Sequence, residues 1–168
     1  MLIRSEAPAD ILLIDALLKS VFDTDAEAKL VMRLRENGCR TLSLVACTDD
    51  GEVIGHAFFS PVTVAGQETN WQGLAPLSVR EDHRHQGVGL ALLAEAQATL
   101  ADFDYPTVVV LGDPKYYQQA GYQAALQHGL TCIWPETEEA FMVLEIAPGS
   151  VQQYQGLVEY CEEFNALA

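Results

Sequence analysis

The sequence predicts an α/β (α+β) fold in which helices pack on a mixed sheet rather than on a doubly wound parallel one. Three observations lead there. Strand-like and helix-like segments follow one another in the order β-α-α-β-β-β-α-β-α-β-β. Three consecutive strands are separated only by turn signals, so they read as an antiparallel meander. A β-α-β unit comes next, and a turn bearing two glycines, "RHQGVG" at 84–89, joins its first strand to its helix.

Each element has a local reason. "LIRSE" (2–6) alternates apolar and polar residues and reads as a strand. Pro8 precedes "ADILLIDALLKSVF" (9–22), where Ile14, Leu17, Leu18 and Val21 form a helical stripe. "TDAEAKLVMRLRENG" (24–38) is a second helix. Thr24 or Asp25 can cap it, Gly38 can stop it, and Leu30, Val31 and Leu34 supply its apolar face. "TLSLVACT" (41–48) and "EVIGHAFFSPVTV" (52–64) are strands on either side of the tight-turn signal "DDG" (49–51). "AGQETN" (65–70) reads as the next turn, before the strand "WQGLAPLSV" (71–79).

The helix after the glycines, "LALLAEAQATLADF" (90–103), carries Leu90, Leu93, Ala96, Leu100 and Phe103 as its stripe. "YPTVVVLG" (105–112) is a continuous apolar run and reads as a strand buried on both faces. In "DPKYYQQAGY" (113–122), Asp113 and Pro114 open a short helix and Gly121 closes it. "YQAAL" (122–126) and "AFMVLEI" (140–146) are further strands, and "GLVEY" (156–160) is a weak strand candidate. The chain reads as one domain over 1–168, with a C-terminal segment over about 148–168 packed on it.

Composition excludes several classes. Hydrophobic residues make up 49% of the 168, too many for a disordered chain. No apolar run approaches the ~18–20 residues of a membrane span, and the N-terminus lacks a signal-peptide layout. The expectation is a cytoplasmic protein that contacts neither membrane nor nucleic acid, since nine basic residues and a net charge of −15 disfavour the extended basic face a nucleic-acid backbone needs. Cys39, Cys47, Cys132 and Cys161 form no C-x-x-C pair, so reduced, mostly buried thiols and no metal site are expected.

The scarce positive charge gathers at the glycine turn, where Arg80, His83, Arg84 and His85 fall within six residues. A helix N-terminus leaves backbone N–H groups without partners and carries about half a positive charge. Glycines let an anion approach them, and together these features make a phosphate seat. The dinucleotide fingerprint fails, because Leu92 stands at the third glycine position; a P-loop fails for want of its lysine.

The pattern that remains, Arg84-x-x-Gly87-x-Gly89 between strand and helix, resembles the coenzyme A loop of the GNAT N-acetyltransferase superfamily, whose signature is Q/R-x-x-G-x-G/A. "VVVLG" resembles that family's fifth strand. "YYQQAGY" is similar to its tyrosine segment, with Tyr117 four residues before Gly121. More narrowly, "LGDPKYYQQAGY" with "AFMVLEI" and "GLVEY" resembles the YhbS-type bacterial acetyltransferases. One departure stands out: "GDPK" replaces the asparagine many relatives carry after the fifth strand.

The resemblance implies the GNAT acyl-CoA N-acyltransferase fold, acetyl-CoA as co-substrate, and transfer of its acetyl group to a primary amine by direct attack. It implies that Arg84, His85, Gln86, Gly87, Val88, Gly89 and Leu90 cradle the pyrophosphate. Leu77, Ser78 and Val79 would offer backbone to the pantetheine where the fourth strand splays, and an N–H among them would stabilise the carbonyl oxygen. Tyr117 is the implied general acid toward the leaving thiolate, with Tyr116 the fallback. A lysine-like amine costs about 4–5 kcal/mol to neutralise at pH 7, so a base is wanted. His56, Asp113 and a water chain all stay open as that base. The acceptor is a small-molecule or peptide amine, and the acidic junction of Asp23, Asp25 and Glu27 would suit a cation. Monomer and homodimer both remain open. The alternative to an enzyme is a non-catalytic acyl-CoA sensor or interaction module of the same fold; a nucleotide-phosphate binder using the same turn comes third.

Overall fold

The computed structural model describes residues 1–167, so Ala168, at the end of the expected C-terminal segment, lies outside the described residues. One nine-stranded mixed sheet organises the chain. Its first strand, β1 (Leu2–Ser5), pairs antiparallel with β2 (Leu42–Cys47), and β2 with β3 (Val53–Val64). β4 (Gln67–Val79) completes the meander against β3. Thereafter β5 (Thr107–Leu111) runs parallel to β4, and β8 (Phe141–Glu145) lies antiparallel between β5 and β6 (Gln123–Ala124).

Helix α3 (Val88–Asp102) covers one face, packing Val88, Leu92, Leu93, Ala96 and Leu100 on Ala57, Phe59 and Val108. On the opposite face, α1 (Ile11–Val21) and α2 (Ala26–Glu36) bury Ile14, Leu18, Val31 and Leu34 against Val45 and Phe58. Their periodicity specified this side, because residues three and four apart share one stripe. Further along, that face is closed by β7 (Leu130–Cys132) and β9 (Gly156–Glu159), which pair parallel with each other while β9 pairs with the end of β3. The expectation that β5 is buried on both faces holds: Val108 and Val110 enter the α3-side core, Val109 the other.

Several boundaries differ from the sequence reading. The turn before β4 is only Ala65–Gly66, with φ of 51° and 74°, so a two-residue hairpin replaces the longer loop expected over 65–70. The polar residues Gln67 and Glu68 read as loop but pair with Val64 and Thr63. Helix α3 begins two residues early, at Val88, and its buried stripe includes Leu92 instead of Leu90. It ends at Asp102, which leaves Phe103 at the C-cap, 70% exposed. The strand expected over 122–126 shrinks to Gln123–Ala124, followed by a 3-10 turn at Ala125–His128. Strand β7 was not expected: three residues are too few for a periodic signal, and its ladder comes from β9, some 26 residues on.

What positions the site is a bulge in β4. Leu74 faces Phe59 across the ladder but Leu77 faces Ala57, so β4 carries one residue more than β3 over Ala75–Pro76. Proline has no N–H to donate, and here it occupies the bulge. Pairing with β5 covers only Gln72–Leu74. Beyond the bulge β4 keeps β3 and leaves β5, and a V-shaped opening separates the two parallel strands.

Candidate functional site

At the end of β4 the chain enters the glycine turn. Gly87, the residue before α3, adopts φ 82° and ψ 9°, in the left-handed region where a Cβ is disfavoured. His85 adopts φ 62° as well. Six consecutive main-chain N–H groups, from His85 to Leu90, meet no acceptor among the described residues. The first helical bond runs from the Ala91 N–H to the Gly87 carbonyl at 2.9 Å. Unpartnered donors at the start of a 15-residue helix can hold an anion.

The four basic residues divide their work. Arg80 is neutralised by Asp82 at 2.7 Å and by Glu52 at 3.2 Å. Hydrogen bonds from Arg80 and His83 hold the Asp82 carboxyl at about 2. Arg84 has no carboxylate partner among the described residues; its Nε donates to the Val79 carbonyl at 3.3 Å. It supplies the uncompensated cation beside the free N–H groups.

The V between β4 and β5 opens as a cleft of about 980 Å³. Leu77, Ser78 and Val79 line its β4 wall, and Arg84, His85, Gly87, Val88, Gly89 and Leu90 line the turn and helix start. Gln86 is the exception: it borders a separate depression with Met1 and Thr48. The Ser78 hydroxyl is buried at this wall without a hydrogen-bond partner among the described residues. Opposite stand Gly112, Asp113, Tyr116, Tyr117 and Gln119, on the end of β5 and on α4 (Pro114–Gln118).

Helix α4 forms where the sequence places it. The Asp113 carboxylate accepts the Lys115 N–H at 3.0 Å and Pro114 takes the first helical position. Asp113 therefore sits on the larger cleft as a cap. Tyr117 is turned inward, its ring edge-on to Tyr116 at 5.2 Å and to Tyr122 at 5.5 Å. Burial, and then the neighbouring Tyr116, push its phenol up to about 12. Tyr116 points elsewhere: its hydroxyl lies over the Cα of Gly89, where any Cβ would collide with it.

A second cavity, of about 340 Å³, lies under the bulge. Phe22, Leu77 and Tyr117 line both cavities, so the two spaces meet at the Tyr117 ring. The second is walled by Leu30, Pro76, Trp134, Tyr160 and Phe164, with Glu27 at its edge.

Some candidates from the sequence lie away from this junction. His56 is fully buried on the α1/α2 face and lines neither cavity. Its Nε2 meets the Ser43 hydroxyl at 2.8 Å. Ser43 also hydrogen-bonds the Glu6 carboxylate, which Arg35 and Arg40 grip at 2.9 Å each. A carboxylate only accepts, so Ser43 donates to Glu6 and accepts from His56; the proton is on Nε2 and Nδ1 has no partner among the described residues. Burial first, then the Arg35 charge, lowers His56 to about 3, so it is a neutral structural histidine. Of the acidic junction, Asp23 and Asp25 are exposed and Asp25 pairs with Lys29 at 3.1 Å; only Glu27 faces a cavity. The cysteines are unpaired, but Cys39 and Cys161 are half-buried rather than buried. The residues that sequence reasoning missed are Phe22, Gly112, Trp134, Tyr160 and Phe164. Only Gly112, a glycine closing a strand, carried a local signal, that of a close approach.

Comparison with known proteins matches this geometry. Residues 12–122 match the model of the acetyltransferase (GNAT) family. The chain is 50% identical over 165 residues to the uncharacterised N-acetyltransferase YhbS of Escherichia coli, covering 98% of this chain and 99% of that one. A crystal structure of E. coli YhbS in complex with CoA superposes with a TM-score of 0.95, covering 98% of this chain and 91% of that chain. A GNAT acetyltransferase from Brucella melitensis in complex with acetyl-CoA, 33% identical, gives 0.81 and covers 97% of each chain. No helix among the described residues is long and apolar enough to cross a membrane. With the signature turn, the splayed strands and relatives matching end to end, the chain belongs to the GNAT acetyltransferase family.

Proposed function

We propose that this protein transfers the acetyl group of acetyl-CoA to a primary amine by direct attack on the thioester. The neutral amine forms the N–C bond as the C–S bond breaks, CoA leaves as the thiolate, and the amine's proton passes to water. The observation that carries the reading is the run of free N–H groups from His85 to Leu90, with Arg84 beside it, opening into a cleft that ends at Tyr117. A pyrophosphate would take the N–H groups and the Arg84 charge. The main chain of Leu77–Val79, free of β5, would pair with the pantetheine amides. Its N–H groups would also stabilise charge developing on the carbonyl oxygen. CoA and acetyl-CoA, bound by the E. coli and Brucella relatives, support this ligand.

Tyr117 meets the leaving sulfur in this reading. Its phenol at about 12 lies well above a thiol near ~8.5, so full proton transfer would be uphill by about 5 kcal/mol at ~1.36 kcal/mol per unit. Tyr117 therefore acts as a hydrogen-bond donor to the developing thiolate, which stabilises it without surrendering the proton. The incoming amine would enter from the second cavity, since that space reaches Tyr117 from the other side.

The test measures CoA affinity by calorimetry and thiol release with an amine panel, for wild type and Gly87→Asp. The left-handed φ and the added negative charge of the variant should abolish cofactor binding. Unchanged affinity would remove the turn from the site. Tight binding without thiol release from any amine would favour the non-catalytic sensor.

A further inference from the structure

The second cavity constrains the acceptor, an inference that rests on the reading above. Its lining is almost wholly apolar: Phe22, Leu30, Leu74, Pro76, Val110 and Phe164 represent it. Trp134, Tyr160 and Phe164 form an aromatic wall, with Tyr160 at 5.0 Å from Phe164 and 6.1 Å from Trp134, ring centre to ring centre. The Tyr160 hydroxyl is turned away, donating to the Val109 carbonyl at 3.4 Å. Among the described residues no lysine, arginine or histidine lines the space, and one side-chain carboxylate does, Glu27. Glu27 is half-buried in the first turn of α2 and has no cationic partner among the described residues, unlike its neighbour Asp25.

We propose that the acceptor is a compact aromatic or aliphatic amine with one positive charge and no carboxylate, its ammonium held by Glu27 and its apolar body by the Trp134–Tyr160–Phe164 wall. The charge pattern decides this. An amino acid would bring its carboxylate where no cation among the described residues meets it, and an unpaired buried charge is expensive. A polyamine or aminoglycoside would drive further ammonium groups against hydrocarbon with one carboxylate to share. At about 340 Å³ the cavity is at the small end for ligand sites. A single ammonium gains the Glu27 charge while its apolar body packs on the aromatic rings. Trp134, Tyr160 and Phe164 all lie beyond residue 122, outside the segment that matches the family model, so this wall is built by the chain's own C-terminal third.

Direct binding separates this claim from the proposed reaction. Calorimetry on the full chain saturated with CoA would compare phenethylamine, phenylalanine, lysine and spermidine. In parallel, thiol release from acetyl-CoA is followed with each. Phenethylamine should bind at least tenfold more tightly than the other three. Glu27→Gln should weaken it tenfold or more with CoA affinity unmoved, which also certifies that the variant is folded. Tighter binding of phenylalanine, lysine or spermidine, indifference to Glu27→Gln, or no amine binding at all would overturn the inference. The expected binding order without thiol release would uphold the pocket's chemistry while refuting the transferase reading.

Discussion

The ring of Tyr117 lies so close to the Cα of Gly112 that a methyl group there would overlap its edge. The glycine follows the last residue of β5, the tyrosine sits one turn into α4, and their contact sets where the phenol stands between the two cavities. Gly112→Ala should therefore displace Tyr117. The expected result is a 10–100-fold lower kcat with a smaller change in CoA affinity, and a loss of about 1–3 kcal/mol in stability from overpacking. Steady-state kinetics with a urea titration would check both.

Gly89 and Tyr116 form a second such pair. The collision of a Cβ at 89 is with the hydroxyl oxygen, while the ring carbon behind it stands at 3.3 Å. Gly89→Ala should cost about 1–3 kcal/mol, and Tyr116→Phe should restore part of that loss. The four proteins of a double-mutant cycle, compared by urea unfolding, give the coupling; strict additivity would mean that the hydroxyl does not occupy that space.

For Tyr117→Phe the expected outcome is a fall in kcat of tenfold or more with CoA affinity nearly unchanged. Because the phenol is pushed up to about 12, it stays protonated through the usable alkaline range. The wild-type rate should thus show no decline assignable to tyrosine ionisation below about pH 11. A descending limb near pH 9–10 that vanishes in Tyr117→Phe would show that the cofactor-loaded site lowers the phenol, and would make full proton transfer affordable.

His56 predicts an acid-sensitive fold. The unfolded chain takes up a proton on this imidazole near ~6.5, whereas the folded chain resists it until about 3. Its contribution is complete above pH 6.5 and is lost as pH falls through that window, at ~1.36 kcal/mol per unit. Between pH 6.5 and 4.5 the loss is about 3 kcal/mol. Glu6 adds to it only below its ordinary value of 4.5. Burial pushes that carboxyl up, but hydrogen bonds from Arg35 and Ser43 outweigh it and hold it low, so its share is present above 4.5 and fades beneath. Urea unfolding between pH 4.5 and 6.5 should show this slope in the wild type and a flatter profile in His56→Gln. Equal slopes would relocate the acid sensitivity.

Local physics wrote much of the molecule into short windows of sequence. The stripes of α1 and α2, the Asp113–Pro114 cap, the two-faced burial of "TVVVL" and the left-handed Gly87 each depend on residues within a few positions of one another. The glycine turn was legible for the same reason, since free N–H groups at a helix start need nothing distant to exist. Where "HGLTC" became β7, or Phe103 left its stripe, a partner strand or the helix ending at Asp102 overrode the local pattern.

Tertiary structure alone decided the meeting of the two cavities. Glu27, Leu77, Tyr117, Trp134, Tyr160 and Phe164 come from five separate stretches of chain, and only Tyr160 and Phe164, four residues apart, are linked by spacing. Their adjacency follows from the β4 bulge, which parts β4 from β5, and from the C-terminal segment folding back over that gap. His56 shows the converse: its residue type suited a base, but strand alternation turned it to the face where Ser43 and Phe58 bury it. Which way a side chain points, and what waits there, is settled by packing across the whole sheet.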